Sequence, residues 1–204
     1  SHYYWAIDDI GIELLPSDDV QNVSSWIFGE STNFAEYGRT PLSQADQNWV
    51  VGSQVSNIGG ADQTNVNLNV DFGSFSASAI YDEDNDGNAD ILFADSTRVI
   101  QTTVSPSLTA GIYQGTYTIS SDADQSGGDN FGNNTLQRNF EITNGIYSLD
   151  GIGNHPSGTQ SLESYGSYSW PTDAADGLVV ATHFQFQNTD TINSVTAILT
   201  SNTV

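Results

Sequence analysis

Apolar and polar residues alternate strictly in several short segments of this chain. Residues 65–72 read NVNLNVDF, so every second side chain from Val66 to Phe72 falls on one face of an extended strand. The same two-residue period recurs in YQGTYTIS (113–120) and LVVATHFQF (178–186). No window of eleven residues has the spacing of an amphipathic helix. The pattern therefore predicts half-buried β-strands and no long helix.

Short strands separated by turn residues, without helices between them, are typical of antiparallel sandwiches rather than parallel sheets. The strands divide the chain into four parts, which suggests an excerpt from a longer protein. We expect the last strand of a preceding β domain at 1–16, a polar connector at 17–46 with Trp26 and Phe28 available to pack on a neighbour, a complete sandwich at 47–143, and a further, small or incomplete β domain at 144–204 with strands near 178–187 and 192–200.

The charge of the chain excludes two classes of partner. Its 204 residues include 25 Asp and Glu but only three Arg and no Lys, which gives a formal net charge of −22. A nucleic acid or an anionic membrane surface would repel such a chain. No segment approaches the roughly 20 apolar residues that cross a bilayer, so membrane insertion is not expected either. Without cysteine, stability has to come from the core or from bound ions.

The middle unit resembles the CARDB type of immunoglobulin-like module, which occurs in secreted multidomain bacterial and archaeal proteins. The matching pieces are SQVSNIGGADQTNVNLNV (53–70), SPSLTAGIYQGTYTIS (105–120) and DADQSGGDNFGNNTLQRNFEIT (122–143). They share an Asn-x-Gly turn, a Leu-x-x-Gly turn before a GTYT strand, and an Asn-Asn pair before the last strand. The resemblance implies an all-β fold, namely an antiparallel immunoglobulin-like β-sandwich flanked by parts of other β-sandwich domains.

The opening YYWAIDDIGIEL resembles the final strand of jelly-roll modules of the MAM or carbohydrate-binding kind. Chains of such modules are similar to surface and secreted proteins of marine Bacteroidetes. This resemblance implies a secreted or cell-surface location.

The loop DEDNDGNAD at 82–90 is the sharpest chemical motif. Calcium binds six to eight oxygens at about 2.3–2.6 Å, and alternating carboxylates around a turn-forming glycine can supply many of them. The candidate ligands are the side chains of Asp82, Asp84, Asp86 and Asp90 and the backbone carbonyl of Asn88.

This loop is not an EF-hand, because Phe93 stands where the bidentate Glu would be. It more closely resembles the loops of FG-GAP and thrombospondin type 3 repeats. The alternative interpretation is a hairpin tip solvated by carboxylates, although close carboxylates repel one another unless a cation neutralises them. Two weaker acidic candidates are the loop with Asp122, Asp124 and Asp129 and the pair Asp8–Asp9.

Catalytic groups are sparse, so we expect no enzyme. The three histidines, His2, His155 and His183, are far apart in the sequence, and His183 is expected to face solvent. No Gly-x-Ser-x-Gly motif occurs. A pair of carboxylates for glycoside hydrolysis stays open, since the many acidic residues give no sign of placement.

Tyr168 and Trp170 are two residues apart and would share one face of a strand. Sugar rings stack on such pairs, but packing in a core is the more ordinary explanation for a tryptophan. The pair is therefore a weak candidate for carbohydrate binding.

The function we expect is that of a non-catalytic, extracellular stalk, filament or adhesion segment of a large protein, rigidified by calcium. Its partners would be neighbouring domains, other copies of itself or glycans. The alternative is an ancillary or carbohydrate-binding region of a secreted protease or polysaccharide-degrading enzyme.

Overall fold

A computed structural model describes residues 16–125, 131–150 and 181–197. These residues form eight β-strands and three single turns of 3₁₀ helix, and no α-helix is present among them. The strands are β1 Val20–Gly29, β2 Arg39–Pro41, β3 Trp49–Asn57, β4 Asn67–Asp71, β5 Ser76–Ile80, β6 Ser96–Val104, β7 Gly111–Ser120 and β8 Thr135–Thr143. The 3₁₀ turns are Glu30–Thr32, Leu42–Gln44 and Phe131–Asn133.

Two sheets face each other. One has the strand order β1-β3-β6 and the other the order β2-β8-β7-β4-β5. All neighbours are antiparallel except the short β2, which runs parallel to β8. The predicted all-β, antiparallel immunoglobulin-like sandwich is therefore confirmed.

The core lies between the sheets and follows the alternation in the sequence. From Val66 to Phe72 every second side chain is buried, as are Tyr113, Tyr117 and Ile119 of β7. The Tyr117 hydroxyl of β7 donates a hydrogen bond to the Trp26 carbonyl of β1, at 3.0 Å, and so links the two sheets. These strands are half-buried because a period of two places one face on the opposite sheet and the other in water.

The expected connector at 17–46 is wrong, because this stretch supplies β1 and β2 to the two sheets. Its pattern does not read as a strand, since Asn22 and Ser25 stand at buried positions. Their polar groups are paired: Asn22 Nδ2 donates to the Tyr117 carbonyl at 3.2 Å, and Ser25 Oγ lies 2.8 Å from Ser53 Oγ. The sandwich therefore begins near residue 20 rather than near residue 47.

The prediction of strands near 178–187 and 192–200 is also wrong for the residues that the structure describes there, because residues 181–197 have no regular secondary structure. Part of this segment instead packs on the sandwich through side chains. The predicted strand at 1–16 lies outside the described residues, apart from Pro16. None of the described helical turns is long and apolar enough to cross a membrane.

Candidate metal centre in the crossover loop

The acidic loop joins the two sheets. It leaves β5, an edge strand of the five-stranded sheet, and enters β6, an edge strand of the three-stranded sheet. Tyr81 and Leu92 anchor the loop on either side of the acidic run, since both are buried in the core. The tip between them is exposed, so its conformation depends on its own hydrogen bonds and on whatever it binds.

Three of the predicted ligands converge. One carboxylate oxygen each from Asp82, Asp84 and Asp86 lie within 4.8 Å of one another. Positive φ angles at Asn85 (58°) and Gly87 (88°) fold the chain back between them. Asn and Gly are the residues that adopt this left-handed conformation most readily, which is why the sequence can form so tight a loop.

Backbone amides of the loop already bind these carboxylates. Asp82 accepts the Asp86 N–H at 3.2 Å through Oδ1 and the Gly87 N–H at 2.8 Å through Oδ2. Asp84 Oδ1 accepts the same Asp86 N–H at 3.1 Å. A carboxylate oxygen has more than one acceptor site, so these bonds leave room for a cation.

The other two predicted ligand residues close the loop through hydrogen bonds, and the Asp90 carboxylate is not among the oxygens that converge. Asp90 accepts the Glu83 N–H at 2.7 Å through Oδ2, and its own N–H donates to the Tyr81 carbonyl at 2.8 Å. Asn88 donates its backbone N–H and its Nδ2 to Asp86 Oδ1, at 2.7 and 2.9 Å. These contacts close the base and one side of the loop.

The electrostatics of the triad are those of crowded negative charges. The hydrogen bond from the Asp86 amide lowers the pKa of Asp84, but the charge of Asp86, desolvation and the charges of Asp90 and Asp82 together outweigh it, and the net direction is upward. The pKa of Asp86 is lowered by its bonds from Asn88. Asp84 is therefore the carboxylate whose negative charge the loop accommodates least well.

Among the described residues, Arg98 is the cation nearest the acidic run, and it forms an ion pair with Glu83. The two side chains lie 3.5 Å apart, and both contact the Tyr81 hydroxyl. The hydrogen bond from Tyr81 and the charge of Arg98 lower the pKa of Glu83. Arg98 is therefore engaged outside the triad, whose oxygen ligands are of the type that hard divalent cations prefer.

The remaining predicted site residues have different fates. Asp124 of the second acidic loop is buried and Asp122 is exposed. Asp129, Asp8, Asp9, Tyr168 and Trp170 lie outside the described residues. His183 is exposed, as expected.

Sequence reasoning missed the docking of residues 183–190 on the sandwich. The buried Gln44 side chain accepts the N–H groups of Gln187 and Asn188 through Oε1, at 2.9 and 3.0 Å, and donates to the Asn188 carbonyl at 3.2 Å. Phe184 stacks on Tyr37, with ring centroids 5.9 Å apart. The alternation of Phe184 and Phe186 predicted a strand with one buried face, whereas the segment is irregular, Phe184 is half-buried and Phe186 is 45% exposed.

The two sheets make the described part of the chain an immunoglobulin-like β-sandwich. No protein-family model matches it, and no curated protein matches it. Among solved structures it is similar to the CARDB domain of a Pyrococcus furiosus protein, crystallised in complex with di-metal ions, at 13% identity and a TM-score of 0.41 over 68% of this chain and 100% of that one.

A solution NMR structure of the same CARDB domain gives 13% identity and a TM-score of 0.41 over 65% of this chain and 100% of that one. The C-terminal domain of wzt gives 12% identity and a TM-score of 0.39 over 72% of this chain and 84% of that one. CARDB domains are thus among the structures that the chain resembles, in line with the sequence motifs.

Proposed function

We propose that this chain is a non-catalytic stalk or adhesion segment of a secreted or cell-surface protein, and that the loop at 82–90 binds a calcium ion that stiffens it. The observation that carries the proposal is the convergence of Asp82, Asp84 and Asp86 within 4.8 Å in the loop that links the two sheets. Extended surface proteins need modules that resist deformation. Here the crossover between the edge strands is the exposed, strongly charged part of the sandwich.

Calcium is favoured over magnesium by the ligand arrangement. The triad supplies three carboxylates from one crossover loop, and water can complete a coordination shell of six to eight oxygens. Magnesium demands near-ideal octahedral geometry at about 2.0–2.1 Å and gives up its water reluctantly. An irregular, exposed cluster of carboxylates therefore fits the larger ion better.

The stiffening follows from linkage between binding and folding. The triad exists only when the loop is folded, so an ion that binds it stabilises the folded state by mass action. At a calcium concentration of about 100 times the Kd this amounts to about 2.7 kcal/mol. The ion that provides this stabilisation would lie in the loop between β5 and β6, which are edge strands of the two sheets.

Calorimetric titration of the chain with calcium tests the proposal. Asp82→Ala and Asp86→Ala should each remove one equivalent of calcium binding, because each deletes a ligand of the same ion. Asp95→Asn is the matched control, since Asp95 lies at the far end of the same crossover, outside the triad. No saturable heat at millimolar calcium, or a number of bound calcium ions that both substitutions leave unchanged, would refute a calcium site in this loop.

A further inference from the structure

Two buried carboxylates lie at the end of the sandwich where β1 and β8 begin and β7 ends. Asp19 precedes β1 and is 6% exposed, and Asp124 follows β7 and is 3% exposed. The chain has no lysine, and its three arginines all pair with glutamates elsewhere. Within the ranges that the structure describes, no cationic side chain contacts either carboxylate.

Two consecutive asparagines contact these carboxylates and leave their own amide oxygens unpartnered. Asn133 Nδ2 donates to Asp19 Oδ1 at 3.0 Å, and Asn134 Nδ2 donates to Asp124 Oδ2 at 3.1 Å. Asn134 is completely buried. The Oδ1 atoms of both asparagines are buried without a hydrogen-bond partner.

Among the described residues, the groups that donate hydrogen bonds to these two carboxylates are all neutral. Asp124 Oδ2 also accepts the Val20 N–H at 2.8 Å, so its charge is partly compensated. Taking a carboxylate out of water is nevertheless unfavourable unless opposite charge compensates it. A buried water could donate to the amide oxygens, but it would leave the two negative charges uncompensated. A cation would serve both purposes.

We propose that Asp19, Asp124, Asn133 and Asn134 form a second cation site, which takes a divalent ion of the calcium type and is separate from the loop at 82–90. All its candidate ligands are oxygens, the donors that hard cations select. Each unpartnered amide oxygen belongs to an amide that already contacts a carboxylate. In each pair an amide oxygen and a carboxylate are therefore near neighbours, because the amide nitrogen is hydrogen-bonded to that carboxylate.

The site would tie β1 to the segments that flank β7 and β8. Asp19 and Asn133 are 114 residues apart in the sequence, so an ion held by both joins distant parts of the chain. Asp19 also accepts the N–H groups of Ile58 and Gly59 through its carbonyl, at 2.9 and 3.1 Å. Occupancy should accordingly protect this end of the sandwich as a unit.

The test is thermal unfolding of the whole chain with calcium or with EGTA, in an Asp86→Ala background that disables the loop. Calcium should still raise Tm in a saturable way. Adding Asp19→Asn should raise at least tenfold the calcium concentration that gives half of this rise in Tm. The substitution keeps an acceptor for Asn133 but removes a charge. Asp71→Asn, which changes an exposed carboxylate on β4, should leave the response intact.

Several outcomes would overturn this site. One is the absence of any calcium response in the Asp86→Ala background, which would leave the loop as the only calcium site. Another is a response that persists in both Asp19→Asn and Asn133→Ala, the second variant being included because Asn133 is only partly buried. A higher Tm of Asp19→Asn in EGTA together with no calcium response would indicate water in the cluster and also refute the site.

The two sites can fail separately. Calcium binding that Asp82→Ala and Asp86→Ala leave unchanged but Asp19→Asn removes would support the buried site and refute the loop. Circular dichroism in EGTA checks that each variant is folded before calcium is added.

Discussion

The core of the five-stranded sheet packs closely at position 115 because this residue is a glycine, which has no side chain. Gly115 is buried on the inner face of β7, and a Cβ placed there would collide with the ring of Phe72. That ring is itself held by Phe75, Tyr117 and Phe140, with centroids 4.7, 5.9 and 5.5 Å away. The ring cannot move away without disturbing its neighbours.

We therefore expect Gly115→Ala to lower the free energy of unfolding by about 1–3 kcal/mol, the usual cost of overpacking a core. Urea unfolding followed by tryptophan fluorescence measures it. Gly111→Ala on the same strand is the control, because a Cβ there meets nothing within 4 Å. Equal stability of the two variants would show that the core around Phe72 is looser than the packing indicates.

Asp84 allows a prediction about the sign of a charge effect. Its pKa is raised in the folded protein, so the folded state holds a proton more tightly than the unfolded chain does. Stability from this group is therefore lost as the pH rises from the ordinary Asp pKa through the raised value. At neutral pH the repulsion is fully present unless an ion neutralises it.

Asp84→Asn should therefore raise Tm slightly in EGTA at pH 7, because it removes the repulsion while Asn can still accept the Asp86 N–H. In calcium the order should reverse, since the wild type gains more from the ion. Melting curves in both media check this, with Asp95→Asn as the control. A lower Tm of Asp84→Asn in EGTA would mean that the charge at this position stabilises the free loop.

At the scale of elements, the segment 183–190 has no ladder of its own and depends on Gln44 for its position. This side chain is 2% exposed and serves as acceptor for two backbone N–H groups of the segment. The ring of Tyr147 adds contacts to Phe184 and Phe186, at 5.2 and 5.6 Å between centroids. The ring contacts hold the side chains of the segment, and the Gln44 side chain fixes the backbone at Gln187 and Asn188.

Gln44→Ala should speed hydrogen exchange at the amides of Gln187 and Asn188 by about tenfold or more, because loss of a hydrogen-bond partner costs about 1–3 kcal/mol. Exchange in the core of β4 should not change, since the segment lies outside that sheet. Gln101→Ala, an exposed glutamine on β6, serves as the control. Unchanged protection of Gln187 and Asn188 would show that the aromatic contacts alone hold the segment.

The sequence predicts an element well where local pattern and tertiary burial agree. β4 and β7 are evident from alternation because every inward residue between Val66 and Phe72 is apolar. β1 is not evident, since Asn22 and Ser25 are buried against partners on other strands that no local pattern can show. The triad Asp82–Asp84–Asp86 is evident because its spacing is local, whereas the cluster of Asp19 and Asp124 brings together residues more than 100 positions apart.

At the scale of the whole molecule, negative charge opposes compaction. The formal charge of −22 is distributed over 204 residues, and each of the three arginines pairs with a glutamate. Partly exposed pairs of this kind contribute about 0–1 kcal/mol each. Self-repulsion of so many carboxylates acts on the entire fold, so it should outweigh the small attraction of the pairs.

Monovalent salt should therefore stabilise this protein, because it screens the repulsion. The Debye length falls from about 30 Å at 0.01 M to about 3 Å at 1 M, which removes long-range repulsion before it weakens contacts at 3 Å. We expect Tm in EGTA to rise steadily over this range of NaCl. Tetramethylammonium chloride should act like NaCl if screening is the cause, whereas a difference between the two cations would indicate binding of sodium at specific carboxylates. A Tm that falls with salt would mean that the three ion pairs contribute more than the net charge takes away.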